Sequence, residues 1–164
     1  MNIQIKKAKF TKKIIEKIIE LDKGFYCDNN SYDASWYHKR YSNKNFVYLL
    51  QINGETVGYF NLINVTKKLF DDICNLKYSD DYNFPEDEVN VKSDYYYLPS
   101  ILVKKEFRKY SLHLIYKLYK IVENIENLCV IAISDEGKQL AGFSLKKVGI
   151  LNNCTIFAKR KDSN

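Results

Sequence analysis

The sequence is poor in the residues that build metal and disulfide sites. It has only two histidines, and its four cysteines at positions 27, 74, 129 and 154 form no C-x-x-C pair. Ligand spacing typical of zinc sites is therefore missing, and a disulfide framework has no support. We expect no metal site, and we expect the cysteines to be buried as small apolar side chains.

The sequence also lacks a long apolar run. No segment approaches the roughly 20 apolar residues of a membrane helix, and the opening MNIQIKKAKF lacks the apolar core of a signal peptide. The 164 residues, 46% hydrophobic and 28% charged, are typical of a globular protein. They predict a single cytoplasmic domain over residues 1–164 with no membrane contact.

The net charge of +6 favours a polyanionic partner, which could be nucleic acid, an anionic surface or a phosphorylated cofactor. The total charge does not choose among them, because an AT-rich genome also enriches lysine. The fourteen tyrosines invite the idea of base stacking. Most of them fall in strand or helix patterns where core packing explains them, so a nucleic-acid partner is disfavoured.

Hydrophobic periodicity divides the first half of the chain into elements. They are a strand over 2–10, a helix from Thr11 to about 22, a second helix over about 33–41, strands over 46–52 and 55–63, and a short helix over 66–74. Thr11 is a good N-cap, and Asn53-Gly54 predicts a type I′ hairpin turn. Gly58 inside the returning strand indicates a bulge or a close packing contact.

Residues 77–94 form a polar, acidic excursion broken by Pro85. The excursion is unusually long for a connection within a compact domain. Its default interpretation is a solvated loop. The alternative is an acidic lip that attracts a cationic amine.

A strand, a basic turn and a helix follow one another from Tyr95 to Ile121. The first N–H groups of a helix are unpaired and carry partial positive charge, so they can hold a phosphate group. Four cations surround this helix start: Lys104, Lys105, Arg108 and Lys109. From about Lys109 the helix is predicted to bury an apolar face, which consists of Leu112, Ile115, Leu118, Tyr119 and Val122. This stretch predicts a phosphate cradle.

The remaining pattern predicts a buried strand over 128–133, a helix over 135–148 ended by Gly149, and a last strand over 153–158. Strand, helix and strand make a right-handed βαβ unit. The element order predicts a fold of the α/β (α+β mixed) class. Its centre is a mixed sheet flanked by helices on both faces.

The central stretch resembles the coenzyme A-binding motif of the GCN5-related N-acetyltransferases. That motif is an apolar triplet ending a strand, then Gln/Arg-x-x-Gly-x-Gly/Ala opening a helix. The triplet here is Ile101-Leu102-Val103, and the second part begins at Arg108, with Ser111 and His113 in place of the two glycines. The N-G-E-x-V-G-Y hairpin is similar to the central hairpin of that family, and the element order follows it over essentially the whole chain. The resemblance implies an acyl-CoA N-acyltransferase fold with a mostly antiparallel sheet.

The resemblance implies acetyl-CoA, or another acyl-CoA, as cofactor. The pyrophosphate would rest on backbone N–H groups from Lys109 to His113, and the pantetheine arm would pair with Ile101 to Val103. A bulge at Pro99 would splay the strand and aim an N–H at the thioester carbonyl. The implied cofactor-binding residues are Ile101, Leu102, Val103, Arg108, Lys109, Tyr110, Ser111, Leu112, His113 and Ser134. His113 itself fits a helix-surface histidine better than a catalytic one.

Catalytic residues are harder to identify. A primary amine with a pKa of about 10.4 must lose a proton before it attacks, and no single carboxylate claims that role. Asp94 and Tyr97 are weak candidates. Aligning Gly149-Ile150 with the helix-ending Gly-Phe of the family puts Leu145 where a tyrosine usually protonates the leaving group.

Three hypotheses follow. The first is an acetyl-CoA-dependent N-acetyltransferase that acts on the primary amine of a small molecule or peptide. The second is a weak or inactive protein of the same fold that binds coenzyme A or a protein partner, and the third is a basic RNA-binding module. A homodimer through the last strands is compatible with the family.

Overall fold

The computed structural model describes residues 1–24, 34–41 and 45–161. Cys27 and the predicted start of the second helix at residue 33 lie outside the described residues. Within them the strands are β1 (Ile3–Lys9), β2 (Phe46–Ile52), β3 (Glu55–Asn64), β4 (Tyr95–Val103), β5 (Asn127–Ala132), β6 (Lys146–Leu151) and β7 (Cys154–Lys159). The α-helices described are α1 (Lys12–Lys23), α2 (Ala34–Arg40), α3 (Lys67–Cys74), α4 (Ser111–Val122) and α5 (Asp135–Gly142). Short 3₁₀ turns occupy Glu86–Glu88 and Lys105–Tyr110.

The seven described strands form one sheet in the order β1-β2-β3-β4-β5-β7-β6. β1 with β2, β2 with β3, β5 with β7 and β6 with β7 pair antiparallel. β4 and β5 pair in parallel, as the predicted βαβ unit requires. The sheet is mixed and mostly antiparallel, so the predicted fold class is confirmed.

The chain divides into two compact units. The first consists of Met1–Leu62 and Ser100–Lys120, and the second of Ile63–Pro99 and Ile121–Asn164. β3 and β4 each supply residues to both units. The single domain over residues 1–164 stays a prediction.

Local signals place the elements of the first unit as predicted. Thr11 caps α1, its Oγ1 accepting the N–H of Ile14 at 3.4 Å. Asn53 and Gly54 have φ angles of 51° and 86°. Two positive φ angles define the type I′ turn, so the predicted hairpin is confirmed.

Gly58 lies where the backbone of β3 packs closely against β4. The β2–β3 register shifts beside it, between Leu50 and Gln51. A Cβ atom at Gly58 would lie 2.5 Å from the carbonyl oxygen of Leu102. The bulge and the close contact that the sequence offered as alternatives therefore occur together.

The buried face of α4 differs from the prediction. The helix begins at Ser111, after the 3₁₀ turn, rather than at about Lys109. Leu114 is 0% exposed, whereas Leu112, which we predicted to be buried, is 72% exposed. Leu114, Leu118 and Val122 share one face at four-residue spacing. Leu112 lies about 200° away from Leu114 around the helix, so it faces solvent.

The acidic excursion of the second unit is packed against its neighbours at some positions and exposed at others. Phe84 is buried between the rings of Tyr78 and Tyr97, each 5.1 Å away. Glu88 accepts from Thr66 Oγ1 and from Lys68 Nζ, both at 2.7 Å. These contacts tie the excursion to the start of α3, so the solvated-loop interpretation is wrong for Phe84 and Glu88.

The helix predicted over 135–148 is also wrong. α5 ends at Gly142, and residues 146–151 form β6, which makes a hairpin with β7. Asn152 and Asn153 turn that hairpin with φ angles of 48° and 66°. Gly149 lies in the strand, where its Cβ would stand 2.8 Å from Leu76 Cδ1. The Asn-Asn turn and the pairing with β7 outweigh the weak helical pattern of this segment.

Among the described cysteines, Cys74, Cys129 and Cys154 are buried thiols. Burial raises the pKa of all three. The expectation of buried cysteines is confirmed at these positions. Within the described part of the chain, no group of three or more potential metal ligands occurs. None of the helices described there is both long and apolar enough to cross a membrane.

Candidate active site

The parallel ladder between β4 and β5 is short. It runs from the Tyr95–Asn127 pair to the Tyr97–Cys129 pair, and among the described residues it goes no further. Pro99, which has no N–H to donate, follows two residues after the ladder ends. The end of the ladder agrees with the expected splaying of the strand at Pro99.

The end of β4 is held against β3. The N–H of Lys104 donates to the carbonyl oxygen of Val57 at 2.8 Å, and Lys104 Nζ binds Glu55 Oε1 at 2.6 Å. The hydrogen bond to Glu55 raises the pKa of Lys104. This lysine therefore anchors the strand end, and one of the four predicted cradle cations is already paired.

The backbone between β4 and α4 forms a 3₁₀ turn over Lys105–Tyr110. The Phe107 N–H donates to the carbonyl of Lys104 at 2.9 Å, and the Ser111 N–H donates to the carbonyl of Arg108. Ser111 has φ −58° and ψ −30°, which any residue adopts without strain. Serine in place of the first motif glycine is thus compatible with this backbone.

The side chains around the turn are mainly at the surface. Lys105, Arg108, Lys109, Leu112 and His113 are exposed. His113 therefore does not crowd the inner side of the turn. Its exposure agrees with the interpretation of His113 as a helix-surface histidine.

The remaining predicted cofactor residues occupy different environments. Leu102 and Val103 are buried, whereas Ile101, Tyr110 and Ser111 are half-buried. The Tyr110 hydroxyl lies 3.0 Å from Met1 Sδ.

Ser134 belongs to the second unit and caps α5, its Oγ accepting the N–H of Gly137 at 3.0 Å. The other predicted cofactor residues all lie in the first unit, so the structure groups them without Ser134.

The two weak catalytic candidates lie in the second unit. Tyr97 is buried with its ring against Phe84, and Asp94 is exposed just before β4. Leu145 is half-buried in the turn after α5. Gly149 lies in β6 and does not end a helix, so the alignment that put Leu145 at the position of the family's tyrosine is wrong. The roles of Asp94 and Tyr97 stay predictions.

A buried carboxylate that we did not predict lies in the first unit. Asp22, in the last turn of α1, is 5% exposed. The Tyr37 hydroxyl donates to its Oδ2 at 2.5 Å, and the Tyr59 hydroxyl donates to its Oδ1 at 2.7 Å. Burial raises the pKa of Asp22, while the two tyrosine hydrogen bonds act in the opposite direction.

Tyr59 connects this carboxylate to β4. Burial and the charge of Asp22 raise the pKa of Tyr59 well above its usual value of 10.0. Ser100 Oγ lies beside the Tyr59 hydroxyl but makes no hydrogen bond of ordinary geometry. Asp22, Tyr37, Tyr59 and Ser100 therefore form a buried polar cluster that joins α1, α2, β3 and β4.

A sequence signal for Asp22 did exist. It stands four residues after Ile18, so it lies on the buried stripe of α1. An acid in the last turn also opposes the helix dipole. A carboxylate that is both buried on an apolar stripe and placed at the negative end of the helix dipole indicates that specific hydrogen-bond donors stabilise it.

No family model and no curated protein sequence matches this chain. Solved structures do match it. PaiA N-acetyltransferase of Thermoplasma acidophilum, in complex with coenzyme A, is 14% identical with a TM-score of 0.55, over 98% of this chain and 100% of its own. NAA60 of Arabidopsis thaliana, in complex with acetyl-CoA, is 14% identical with a TM-score of 0.63, over 96% and 100%.

A third match is named a GNAT-like decarboxylase, GphF, in complex with isobutyryl-CoA. It is 12% identical with a TM-score of 0.68, over 96% of this chain and 98% of its own. At these identities the matches show a shared fold. The chain therefore has the fold of the GCN5-related N-acetyltransferases, and the resemblance seen in the sequence is confirmed at the level of fold.

Proposed function

Because the chain has this fold, we propose that it is an acyl-CoA-dependent N-acetyltransferase. It transfers the acetyl group of acetyl-CoA to a primary amine of a small molecule or peptide by direct attack. The observation that carries the proposal is the arrangement in which β4 leaves its ladder with β5 after Tyr97 and then enters a cationic turn at the start of α4.

The residues of this arrangement fit acetyl-CoA, which supplies an activated acyl group as a thioester. The first N–H groups of α4, with Arg108 and Lys109 beside them, would hold the pyrophosphate. Backbone groups of Ile101 to Val103 would hold the pantetheine arm as an extra strand. The φ and ψ angles at Ser111 do not require glycine, which supports a phosphate-binding role for this turn.

Reversing the charge of Arg108 tests the cofactor site. Arg108→Glu is expected to weaken acetyl-CoA binding at least tenfold, about 1.4 kcal/mol, because it puts a carboxylate beside the proposed phosphates. Isothermal titration calorimetry measures the affinity. Lys147→Glu makes the same charge change at an exposed position of β6 and is expected to leave the affinity unchanged. A wild-type protein that binds neither acetyl-CoA nor coenzyme A would refute the proposal.

A second candidate is a protein of the same fold that binds coenzyme A or a protein partner without transferring acetyl groups to amines. The similarity to a decarboxylase favours it. Release of the coenzyme A thiol in the presence of a panel of primary amines separates the two. Binding without amine-dependent release supports the second candidate.

The proposed enzyme is cytoplasmic and forms a homodimer through its last strands. β6 ends the described sheet and exposes Val148 and Ile150, which supports an interface there. Sedimentation velocity of the wild type and of Ile150→Lys tests the dimer. A protein that sediments as a monomer in both cases would contradict it.

A further inference from the structure

Asn61 in β3 is a polar side chain buried without a partner. It is 0% exposed, and among the described residues neither its Oδ1 nor its Nδ2 makes a hydrogen bond. An amide buried in this way destabilises a fold, so most such groups in proteins are paired. A side chain that departs from this rule indicates a ligand or another function at its position.

Asn61 projects on the same side of the sheet as the buried carboxylate cluster. It stands two residues after Tyr59 in β3, and residues two apart in a strand share a face. The cross-strand pairs Leu49–Tyr59 and Val47–Asn61 keep both on that face. The Tyr59 hydroxyl reaches Asp22 of α1, so this face lies against α1.

Ser100 lies beside the same cluster. Its Oγ is buried, and the Tyr59 hydroxyl is its polar neighbour. We use the name polar recess for the part of this face that carries the side chains of Asp22, Tyr59, Asn61 and Ser100. All four belong to the first unit.

The recess offers hydrogen-bond acceptors and one negative charge. The Tyr59 hydroxyl donates its hydrogen bond to Asp22 Oδ1, so its oxygen can only accept from a ligand. Asn61 Oδ1 and Ser100 Oγ can also accept. A ligand that matches this set carries several N–H donors and a positive charge, as a primary ammonium group does.

We propose that this polar recess binds the amino group of the acceptor, through Asn61, Ser100 and the Asp22–Tyr59 pair. Ser100 directly precedes Ile101, the first residue proposed to hold the pantetheine arm. An amine bound in the recess is therefore placed beside the acyl donor. The assignment to an acceptor rests on the proposed function, whereas the binding of an ammonium group does not.

The melting temperature of Asn61→Leu tests whether Asn61 serves to bind a ligand or to stabilise the fold. Leucine has the same branched arrangement of four side-chain heavy atoms and removes the unpaired amide, so the variant is expected to melt about 2–4 °C above the wild type. Thr56→Val is the matched control. Thr56 is also buried in β3, but its Oγ1 accepts from Gln51 Nε2 at 3.3 Å, so this variant is expected to melt lower. An Asn61→Leu protein that melts below the wild type would mean that Asn61 stabilises the fold, and would overturn the proposal.

Methylammonium chloride is the probe of binding. At equal ionic strength it is expected to raise the melting temperature of the wild type more than tetramethylammonium chloride does. Both cations carry one charge, but only methylammonium has N–H donors. The difference is expected to vanish in Asn61→Leu and to shrink in Ser100→Ala. Equal effects of the two salts on the wild type would overturn the proposal.

Acetyl-CoA titration separates this proposal from the proposed function. Asn61→Leu is expected to bind acetyl-CoA as the wild type does and to lose amine-dependent release of coenzyme A. If the wild type binds methylammonium but not acetyl-CoA, the proposed ammonium site is supported and the proposed function is refuted. If Asn61→Leu retains the wild-type rate of amine-dependent release, the recess does not hold the acceptor.

Discussion

Replacing Asp22 with alanine is expected to lower the free energy of unfolding by about 3–5 kcal/mol, because each of two hydrogen bonds to a charged group contributes about 1.5–3 kcal/mol. The change leaves the hydroxyls of Tyr37 and Tyr59 buried without their acceptor. Asp22→Asn keeps the shape and one acceptor oxygen, so it is expected to destabilise less. Urea unfolding measures both variants.

The pH dependence of stability tests the same carboxyl group. Burial raises its pKa in the folded state above the ordinary value of 3.8, so the folded protein holds this proton more tightly than the unfolded chain. The stabilisation linked to the proton is fully present below pH 3.8. It is lost as the pH rises through the raised pKa of the folded state. The wild type is expected to show this loss, and Asp22→Asn is not.

Glu16→Ala is the control for the Asp22 variants, because Glu16 is an exposed acid in the same helix. It is expected to change the free energy of unfolding by no more than about 0.5 kcal/mol. If Asp22→Ala is no more destabilising than Glu16→Ala, Asp22 does not hold the cluster together. A wild type that gains stability relative to Asp22→Asn over the same pH range would contradict the raised pKa.

Gly58→Ala is expected to destabilise the protein by about 3 kcal/mol, at the upper end of the range for overpacking. The new Cβ would stand 2.5 Å from the Leu102 carbonyl oxygen and 3.1 Å from Val103 Cα. Both are backbone atoms, so relief requires β4 to move away from β3. Because Leu102 and Val103 belong to the proposed pantetheine site, the affinity for acetyl-CoA is expected to fall as well.

Gly24→Ala is the matched control for Gly58→Ala. Gly24 ends α1 with φ −74°, and its nearest contact for a Cβ is 3.5 Å, an ordinary van der Waals distance. Alanine there is expected to be neutral or to stabilise by about 0.4–1 kcal/mol, since it reduces the entropy of the unfolded chain. Urea unfolding and acetyl-CoA titration of the two variants give the comparison. If Gly58→Ala and Gly24→Ala have the same free energy of unfolding and the same affinity for acetyl-CoA, the close contact between β3 and β4 tolerates a side chain.

Elements with a strong local signal were predictable from the sequence. Thr11 and Thr66 each cap a helix by accepting an N–H three residues ahead. Asn53-Gly54 adopts the positive φ angles that only a few residue types favour. In each case a few adjacent residues carry most of the energy of the structure, so the neighbouring sequence is sufficient to identify it.

Where two local patterns compete, the prediction failed. Residues 146–151 have a helical pattern, but they form β6 because β7 is available to pair with them. Leu112 and Leu114 are equally apolar, and only the packing of α4 determines that Leu114 is the buried one. These outcomes depend on partners distant in sequence.

The sequence by itself determined the element order as far as the start of α5, the Thr11 helix cap, the Asn-Gly hairpin and the cationic turn before α4, because each depends on short-range chemistry. Tertiary structure alone decided that Asp22, Tyr59, Asn61 and Ser100 share one recess. They come from one helix and two strands up to 78 positions apart. Only folding can place a carboxylate, a hydroxyl pair and an unpaired amide together. Burial there, with the charge of Asp22, raises the pKa of Tyr59, and the same side chains form the set of acceptors that we propose for a primary ammonium group.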